Sequence, residues 1–262
     1  QPESLTFIKN EVFAKGHYVD LFESKNNFFK KKKYLEFNLI KSKYLLIRQN
    51  PPFNMDYINS TLYLDKISKY VKIINNPFSI RNISEKFYSS KYLEYMPPTI
   101  FTKDSDSILK FFKRDNKVVI KPLNGYAGKG IIFINNKFNK KKIITYLKKT
   151  GHVMVQKFLP DVRKGDKRVF IINGKVMGVI RRVPSKNSIL SNLSQGGTAI
   201  KTSLNLQEKK ISKIIAKDLL KNNIYFAGID FVSSYIIGDI NITSPTGLPQ
   251  YKEISGIDLS SV

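Results

Sequence analysis

A carboxylate in the middle of an apolar strand is costly to bury without a partner, and Asp230, between Ile229 and Phe231, is such a residue. Residues 226–232 and 235–243 read as two strands across Ser233-Ser234, which predicts a hairpin. With those serines as a two-residue loop, Asp230 faces Ile237, Gly228 faces Asp239 and Phe226 faces Asn241. Alternation along each strand then puts Asp230, Asp239 and Asn241 on one face, within cross-strand reach. Two carboxylates and an amide oxygen so grouped suit Mg²⁺, which takes oxygen ligands and completes its octahedron with nucleotide phosphate and water. The same residues would equally make a polar strand face, and a one-residue slip in register would scatter them.

Two other stretches carry chemistry. Lys121-Pro122-Leu123-Asn124-Gly125-Tyr126-Ala127-Gly128-Lys129-Gly130 lacks the spacing of a P-loop, and a strand rather than a helix follows it, which excludes a dinucleotide fingerprint. Strand, glycine-rich loop, strand describes a flap whose backbone N–H groups can close over phosphates, with Lys121 supplying charge. An ordinary glycine hairpin has the same pattern. Gly165-Asp166-Lys167-Arg168 enters a second hairpin and Arg181-Arg182 leaves it, placing guanidinium groups at its open end as anion clamps would be. Surface arginine is the plainer alternative, yet four of the seven Arg fall between residues 163 and 182 of a chain that otherwise uses Lys.

The elements that must hold these residues follow from periodicity. Residues 4–15 place Leu5, Ile8, Val12 and Phe13 on one side, predicting an amphipathic helix closed by Gly16. Strands are expected at 17–22, 44–48 and 71–74, with a helix over 55–69, an alternation that suggests a small parallel-sheet domain. Beyond it the grammar changes to strands joined by tight turns. Residues 117–121 and 131–134 flank the glycine-rich loop, and 168–172 and 175–182 flank Asn173-Gly174, the dipeptide suited to a type I′ turn. Residues 206–220 read as an amphipathic helix, and no internal repeat is visible.

Composition narrows the classes. Over 262 residues, 42% hydrophobic and 25% charged content allows a buried core in one large domain or two modest ones. No apolar run approaches the roughly 18 residues of a membrane-spanning helix. The absence of Cys excludes a disulfide scaffold, a thiolate nucleophile and a Cys-built zinc site, and His17 and His152 are too few for a histidine metal centre. A net charge of +25 invites a nucleic-acid reading, but 38 of the 45 basic residues are Lys, a solvated point charge, rather than the guanidinium fork that reads bases and phosphates. Runs such as Lys30–Lys33 and Lys140–Lys142 are therefore expected as solvated faces. No charged segment followed by an apolar one stands at the start, so no signal peptide is read there.

In order and spacing these segments resemble bacterial-type glutathione synthetase, of the ATP-grasp ligases, along essentially the whole chain. The carrying motifs are Arg48-Gln49-Asn50-Pro51-Pro52-Phe53-Asn54-Met55-Asp56-Tyr57-Ile58, Ile120-Lys121-Pro122-Leu123-Asn124-Gly125 and Gln156-Lys157-Phe158-Leu159-Pro160. Gly165-Asp166-Lys167-Arg168, Ser191-Asn192-Leu193 through Gly196-Gly197, and Asp239-Ile240-Asn241-Ile242-Thr243-Ser244-Pro245-Thr246-Gly247 continue them. The resemblance implies an α/β protein: an N-terminal parallel-sheet domain over 1–81 and an ATP-grasp domain over 82–262. The latter would carry a lid at about 91–157 and a metal and substrate part at about 158–262.

It also implies a reaction and roles. ATP would phosphorylate the cysteinyl carboxylate of γ-glutamylcysteine, and the amine of glycine would attack the acyl phosphate. Lys86 and Lys121 match the lysines that hold ATP phosphates, Gln156 the adenine-side strand, and Gly125, Tyr126, Ala127, Gly128, Lys129 and Gly130 the phosphate flap. Asp230, Asp239 and Asn241 match the ligands of Mg²⁺ or Mn²⁺, and Arg168 and Arg182 match arginines near the acyl phosphate and the substrate carboxylates. Asn192, Gly196 and Gly197 match a loop over the substrate, and Ser244, Pro245, Thr246 and Gly247 the substrate-side turn. A cytoplasmic enzyme without nucleic-acid or membrane partners is expected, with a homotetramer implied by the resemblance. The chain departs from the family in Asp239 for Glu, Asn50 and Asn54 for Asp, and Leu190 for Arg. The family's first strand is expected before Gln1 and its last helix after Val262. Two alternatives stay open: another ATP-grasp carboxylate–amine ligase, such as one adding glutamate to a protein or peptide, and a catalytically silent basic nucleic-acid-binding protein.

Overall fold

The computed structural model describes residues 2–22, 29–185 and 196–261. The chain divides into two compact units, Gln1–Asn82 and Ile83–Val262.

In the first unit, β1 (Thr6–Ile8), β2 (Glu11–Leu21) and β3 (Phe29–Asn38) form an antiparallel sheet. β4 (Tyr44–Leu46) runs parallel to β5 (Lys72–Ile74), with α1 (Met55–Asp65) between them in sequence and α2 (Pro77–Asn82) after them. The Asn54 side chain caps α1 by accepting from the Tyr57 N–H at 3.1 Å, a position where Asn serves as well as Asp. The helix expected over 4–15 is instead the β1–β2 hairpin. Lys9 and Asn10 both take positive φ, 48° and 64°, as a type I′ turn requires, and Ile8 pairs with Glu11. Of the four residues placed on the helix face, Leu5, Ile8 and Phe13 stay wholly or partly exposed and only Val12 is buried, so there was no core stripe to reward helical spacing.

The second unit holds two sheets. Its smaller one comprises β6 (Thr99–Thr102), β7 (Val118–Pro122), β8 (Ile132–Ile134) and β9 (Val153–Lys157) in the order β6-β9-β7-β8. Helices α3 (Ser105–Asp115) and α4 (Lys140–Thr150) cover it, Ile108, Phe111, Ile143 and Leu147 packing on Val118, Ile120, Val153 and Val155. Asp104 caps α3 and Asn139 caps α4, each accepting from first-turn N–H groups. β10 (Asp166–Ile172), β11 (Lys175–Val183), β12 (Thr198–Lys201), β13 (Phe226–Val232) and β14 (Tyr235–Asn241) form the larger sheet, in the order β12-β11-β10-β13-β14.

α5 (Leu206–Lys221) precedes β13 and α6 (Leu248–Ser255) follows β14. Asn205 and Glu208 close a reciprocal capping box on α5, worth about 1 kcal/mol, and Ile211, Ile215 and Leu219 bury one stripe of it. Asp218 on the same helix accepts from the hydroxyls of Tyr88 (2.7 Å) and Tyr92 (2.5 Å) and from Lys91 (3.1 Å). That carboxylate pins the 3₁₀ stretch Phe87–Tyr95, which follows Glu85 and Lys86, against α5. Among the described residues no helix is long and apolar enough to cross a membrane.

Candidate active site

The last hairpin keeps its expected register only next to the turn, where Val232 pairs with Tyr235 and Phe231 with Ile236. Further on, Ile229 pairs with Ile240 and Gly228 with Asn241, so Ile237, Gly238 and Asp239 lie opposite the single residue Asp230. Gly238 takes φ +90° in this bulge, a conformation open to glycine, and a Cβ there would fall 2.5 Å from the Met154 methyl. The predicted pairings of Asp230 with Ile237, Gly228 with Asp239 and Phe226 with Asn241 are thereby replaced. A shift of two residues preserves the alternation of faces, so Asn241 still reaches Asp230, donating Nδ2 to Oδ2 at 3.3 Å.

Asp230 is buried and held by both arginines expected to clamp anions. Strand pairing sets Arg168 against Asp230 and Arg182 against Asp166. Arg168 binds Asp230 through Nε to Oδ1 and through Nη2 to Oδ2 (2.8 Å), and its Nη1 reaches the Thr246 carbonyl at 3.4 Å. Arg182 donates Nε and Nη2 to the two oxygens of Asp166, both at 2.7 Å, and Nη2 also meets Asp230 Oδ2 at 2.8 Å. Burial alone would raise the Asp230 pKa, but the two guanidinium charges outweigh it and hold it at about 2. For Arg182 burial works towards a lower pKa and is likewise outweighed by Asp230 and Asp166, leaving the value raised. Removing one member of such a buried ring costs about 3–5 kcal/mol, because its partner is left charged and alone. Gly165 makes the closure of β10 on β11 possible: φ is +94°, and a Cβ there would sit 2.2 Å from the Arg182 carbonyl oxygen.

Lys121 comes from β7 and Gln156 from β9. The Lys121 ammonium is buried and donates to Gln156 Oε1 (3.0 Å) and to the Ile237 carbonyl (2.7 Å) that the bulge exposes. Gln156 is fixed in turn by donating Nε2 to Thr99 Oγ1 at 3.0 Å. Burial lowers the Lys121 pKa and Lys86 adds to the effect, while Asp239, Asp230 and Asp166 oppose it. Lys86 donates to the Gly125 carbonyl at 2.5 Å and lies 3.4 Å from Asp239 Oδ1. Glu85, which sequence reasoning missed, accepts from the N–H groups of Ile242 (2.7 Å) and Thr243 (2.9 Å) and so anchors the chain leaving β14. Asp166 was read only as part of a motif and given no role; its position opposite Arg182 required the strand register.

These side chains form one floor of a cleft. Lys121, Gln156, Asp166, Arg182, Asp230 and Asp239 line it beside an apolar wall that includes Val119, Ile131, Phe158, Leu159 and Ile237. Such a pairing of surfaces accommodates a flat heterocycle on one side and phosphates on the other. Among the described residues no cluster of three or more His, Cys, Asp or Glu stands ready for a metal. Two carboxylates and one amide nevertheless make an all-oxygen donor set of the kind Mg²⁺ and Mn²⁺ accept. Asp239, partly exposed and only loosely paired with Lys86, is its open member, whereas Asp230 has a spare lone pair mainly on Oδ1.

The glycine-rich loop joins antiparallel β7 and β8, as expected. Ala127, Gly128 and Gly130 take positive φ, and Tyr126 and Lys129 touch one another, ammonium to hydroxyl at 3.3 Å. Gly125 joins the cluster through its carbonyl on Lys86, and Thr246 through its carbonyl on Arg168. Ser244 and Pro245 lie in the turn between β14 and α6, where Gly247 caps the helix at φ +113°. Gly196 and Gly197 lead into β12, the strand beside β11. Asn192 and Leu190 lie outside the described residues.

The family described as prokaryotic glutathione synthetase, N-terminal domain, matches residues 1–81, and prokaryotic glutathione synthetase, ATP-grasp domain, matches 85–256. Similar proteins include glutathione synthetases of Mesorhizobium japonicum, 32% identical over 100% of this chain and 84% of the relative, and of Agrobacterium fabrum, 32% identical over 100% and 82%. Among solved structures, a D-cycloserine synthetase superposes with TM-score 0.65 at 12% identity over 82% of this chain and 80% of that one. A D-alanyl-alanine synthetase A from Vibrio cholerae gives 0.61 at 13% identity over 98% and 84%. With both family matches spanning nearly all of its length, the chain belongs to the prokaryotic glutathione synthetases and is an ATP-dependent carboxylate–amine ligase of ATP-grasp fold.

Proposed function

We propose that the protein joins γ-glutamylcysteine to glycine, with ATP converted to ADP and phosphate and the cysteinyl carboxylate activated as an acyl phosphate. The observation that carries this reading is one cleft with an apolar wall beside a floor of buried Lys, Arg and Asp side chains. In it the adenine lies against the wall near Phe158 and Leu159, and the phosphates meet Lys121, Lys86 and the backbone of residues 125–130, folded down as a flap. Residues 91–157 act as the lid. Asp239, Asn241 and Asp230 hold a divalent cation, Mg²⁺ or Mn²⁺, which when bound supplies positive charge to the nucleotide phosphates.

Catalysis then rests on electrostatics rather than a covalent nucleophile. An oxygen of the substrate carboxylate attacks the γ-phosphorus and ADP leaves; the glycine amine attacks the acyl carbon and phosphate leaves. Arg182 stabilises negative charge on the transferred phosphoryl and on the tetrahedral centre, while Arg168, committed to Asp230 and Thr246, fixes the carboxylate floor. Gly196 and Gly197, with Ser244 to Gly247, face the peptide substrate.

The test is product analysis. Incubated with ATP, Mg²⁺, γ-glutamylcysteine and glycine, the protein should yield glutathione and ADP in equal amounts, with little ADP when either amino substrate is omitted. Condensation with a different amine, and none with glycine, would move the reading to another carboxylate–amine ligase.

A further inference from the structure

The two arginines of the buried ring are not equivalent. Arg168 uses Nε and Nη2 on Asp230 and Nη1 on the Thr246 carbonyl. Arg182 spends Nε and Nη2 on Asp166, with Nη2 shared with Asp230, and among the described residues its Nη1 has no hydrogen-bond partner. A guanidinium has five N–H donors in a rigid plane, so gripping one edge fixes where the remaining donors lie. The grip belongs to Asp166: two parallel contacts of 2.7 Å, with both residues nearly fully buried and both lining the cleft.

We infer that Asp166 is a positioning residue, whose carboxylate holds Arg182 by its Nε edge and so reserves Nη1 for the anion formed in the reaction. A second consequence follows from charge. Without Asp166, Asp230 is the remaining carboxylate contacting Arg182, and the guanidinium turns towards it, engaging the lone pairs that Asp230 keeps for other ligands. Asp166 therefore keeps the two arginines on separate duties. Gly165 belongs to the same device, since only a residue without Cβ lets Asp166 approach β11 so closely. This inference rests on the reading of Arg182 as the residue meeting the reacting anion.

The experiment is a double-mutant cycle on ligase activity. Asp166→Asn should lower kcat by about 10- to 100-fold, as expected for a misoriented catalytic group, with KM for ATP changed less than about threefold. Arg182→Gln should lower kcat at least as much, and the double variant Asp166→Asn/Arg182→Gln should be no slower than Arg182→Gln alone. In Asp166→Ala, added formate should restore part of the lost kcat by occupying the carboxylate position, an effect that lost packing alone would not give. Should Asp166→Asn prove insoluble, Asp166→Glu and formate rescue of Asp166→Ala carry the test, Asp166→Glu keeping the charge and retaining more kcat than Asp166→Ala. Losses that multiply in the double variant, or an Asp166→Asn enzyme with wild-type kcat, would overturn the inference. So would Asp166→Ala left without formate rescue together with Asp166→Glu no faster than it. Full activity in Arg182→Gln would instead overturn the role of Arg182 itself.

Discussion

Lys121 is a buried ammonium whose two hydrogen-bond partners are neutral oxygens, so its charge is balanced only at longer range by Asp239, Asp230 and Asp166. An incoming phosphate completes that balance. Lys121→Met should therefore raise the Kd for ATP by at least about tenfold, since a charge-assisted contact is worth roughly 1.5–3 kcal/mol; calorimetric titration reads this, with unchanged affinity the contrary result. Asp239 answers differently from what two facing carboxylates would suggest. The charge of Asp230 is balanced by two arginines and Asp239 has only a long, partly exposed contact with Lys86, so Asp239→Asn should shift the melting temperature little. The same substitution should increase the metal concentration needed for half-maximal turnover, and Asp239→Glu should preserve more activity than Asn does. Asp230 was legible in the sequence as a carboxylate inside an apolar strand, Asp239 and Asn241 through hairpin alternation, and Lys121 as the charge entering a glycine-rich loop, whereas Gln156 came only with the family resemblance. Glu85 was not legible, because its partners, the N–H groups of residues 242 and 243, lie far along the chain, and the pairing of Asp166 with Arg182 was not, because a register shift between Phe170 and Ile171 decides which residues of that hairpin face one another.

In the glycine-rich loop between β7 and β8, Gly128 takes φ +76°. A β-branched residue is strained there by about 1–3 kcal/mol. Gly128→Val should slow turnover by at least about tenfold, through lost approach of the backbone to phosphate, while the melting temperature falls only a few degrees. A collapse of stability in step with activity would make the loop a plain structural hairpin. The Asp218 clamp on Phe87–Tyr95 gives a pH test of a different element. Burial would raise the Asp218 pKa, but hydrogen bonds from Tyr92, Tyr88 and Lys91 bring it below its usual 3.8. A carboxylate depressed in the folded state adds stability above the unfolded value and loses it as pH falls through the folded one. Asp218→Asn should therefore lower the melting temperature at neutral pH, and the gap to the parent protein should narrow below about pH 4. A constant gap down to pH 2 would contradict the clamp. Hairpins with Asn-Gly or Ser-Ser turns were readable because turn residues declare themselves locally. The bulge at Gly238 was not, since the contact it accompanies, the Ile237 carbonyl on Lys121, joins two different sheets. The helix expected over 4–15 failed for a related reason: Lys9-Asn10 is a turn signal weaker than Asn-Gly, and a coincidental 3.6-residue spacing masked it.

For the whole molecule, the order of weak motifs carried more information than any one of them. A net charge of +25 carried less, being spread over Lys-rich exposed surface such as Lys30–Lys33, while the buried cationic groups of the cleft are each matched by Asp or by backbone oxygen. The account's central claim is that the cleft turns the carboxylate of γ-glutamylcysteine into an acyl phosphate before the amine attacks. It is tested most directly with γ-glutamylcysteine labelled with ¹⁸O in its cysteinyl carboxylate, by mass spectrometry of the phosphate released on reaction with ATP and glycine. The account predicts one ¹⁸O atom transferred to phosphate for each glutathione formed; unlabelled phosphate alongside glutathione formation would contradict it.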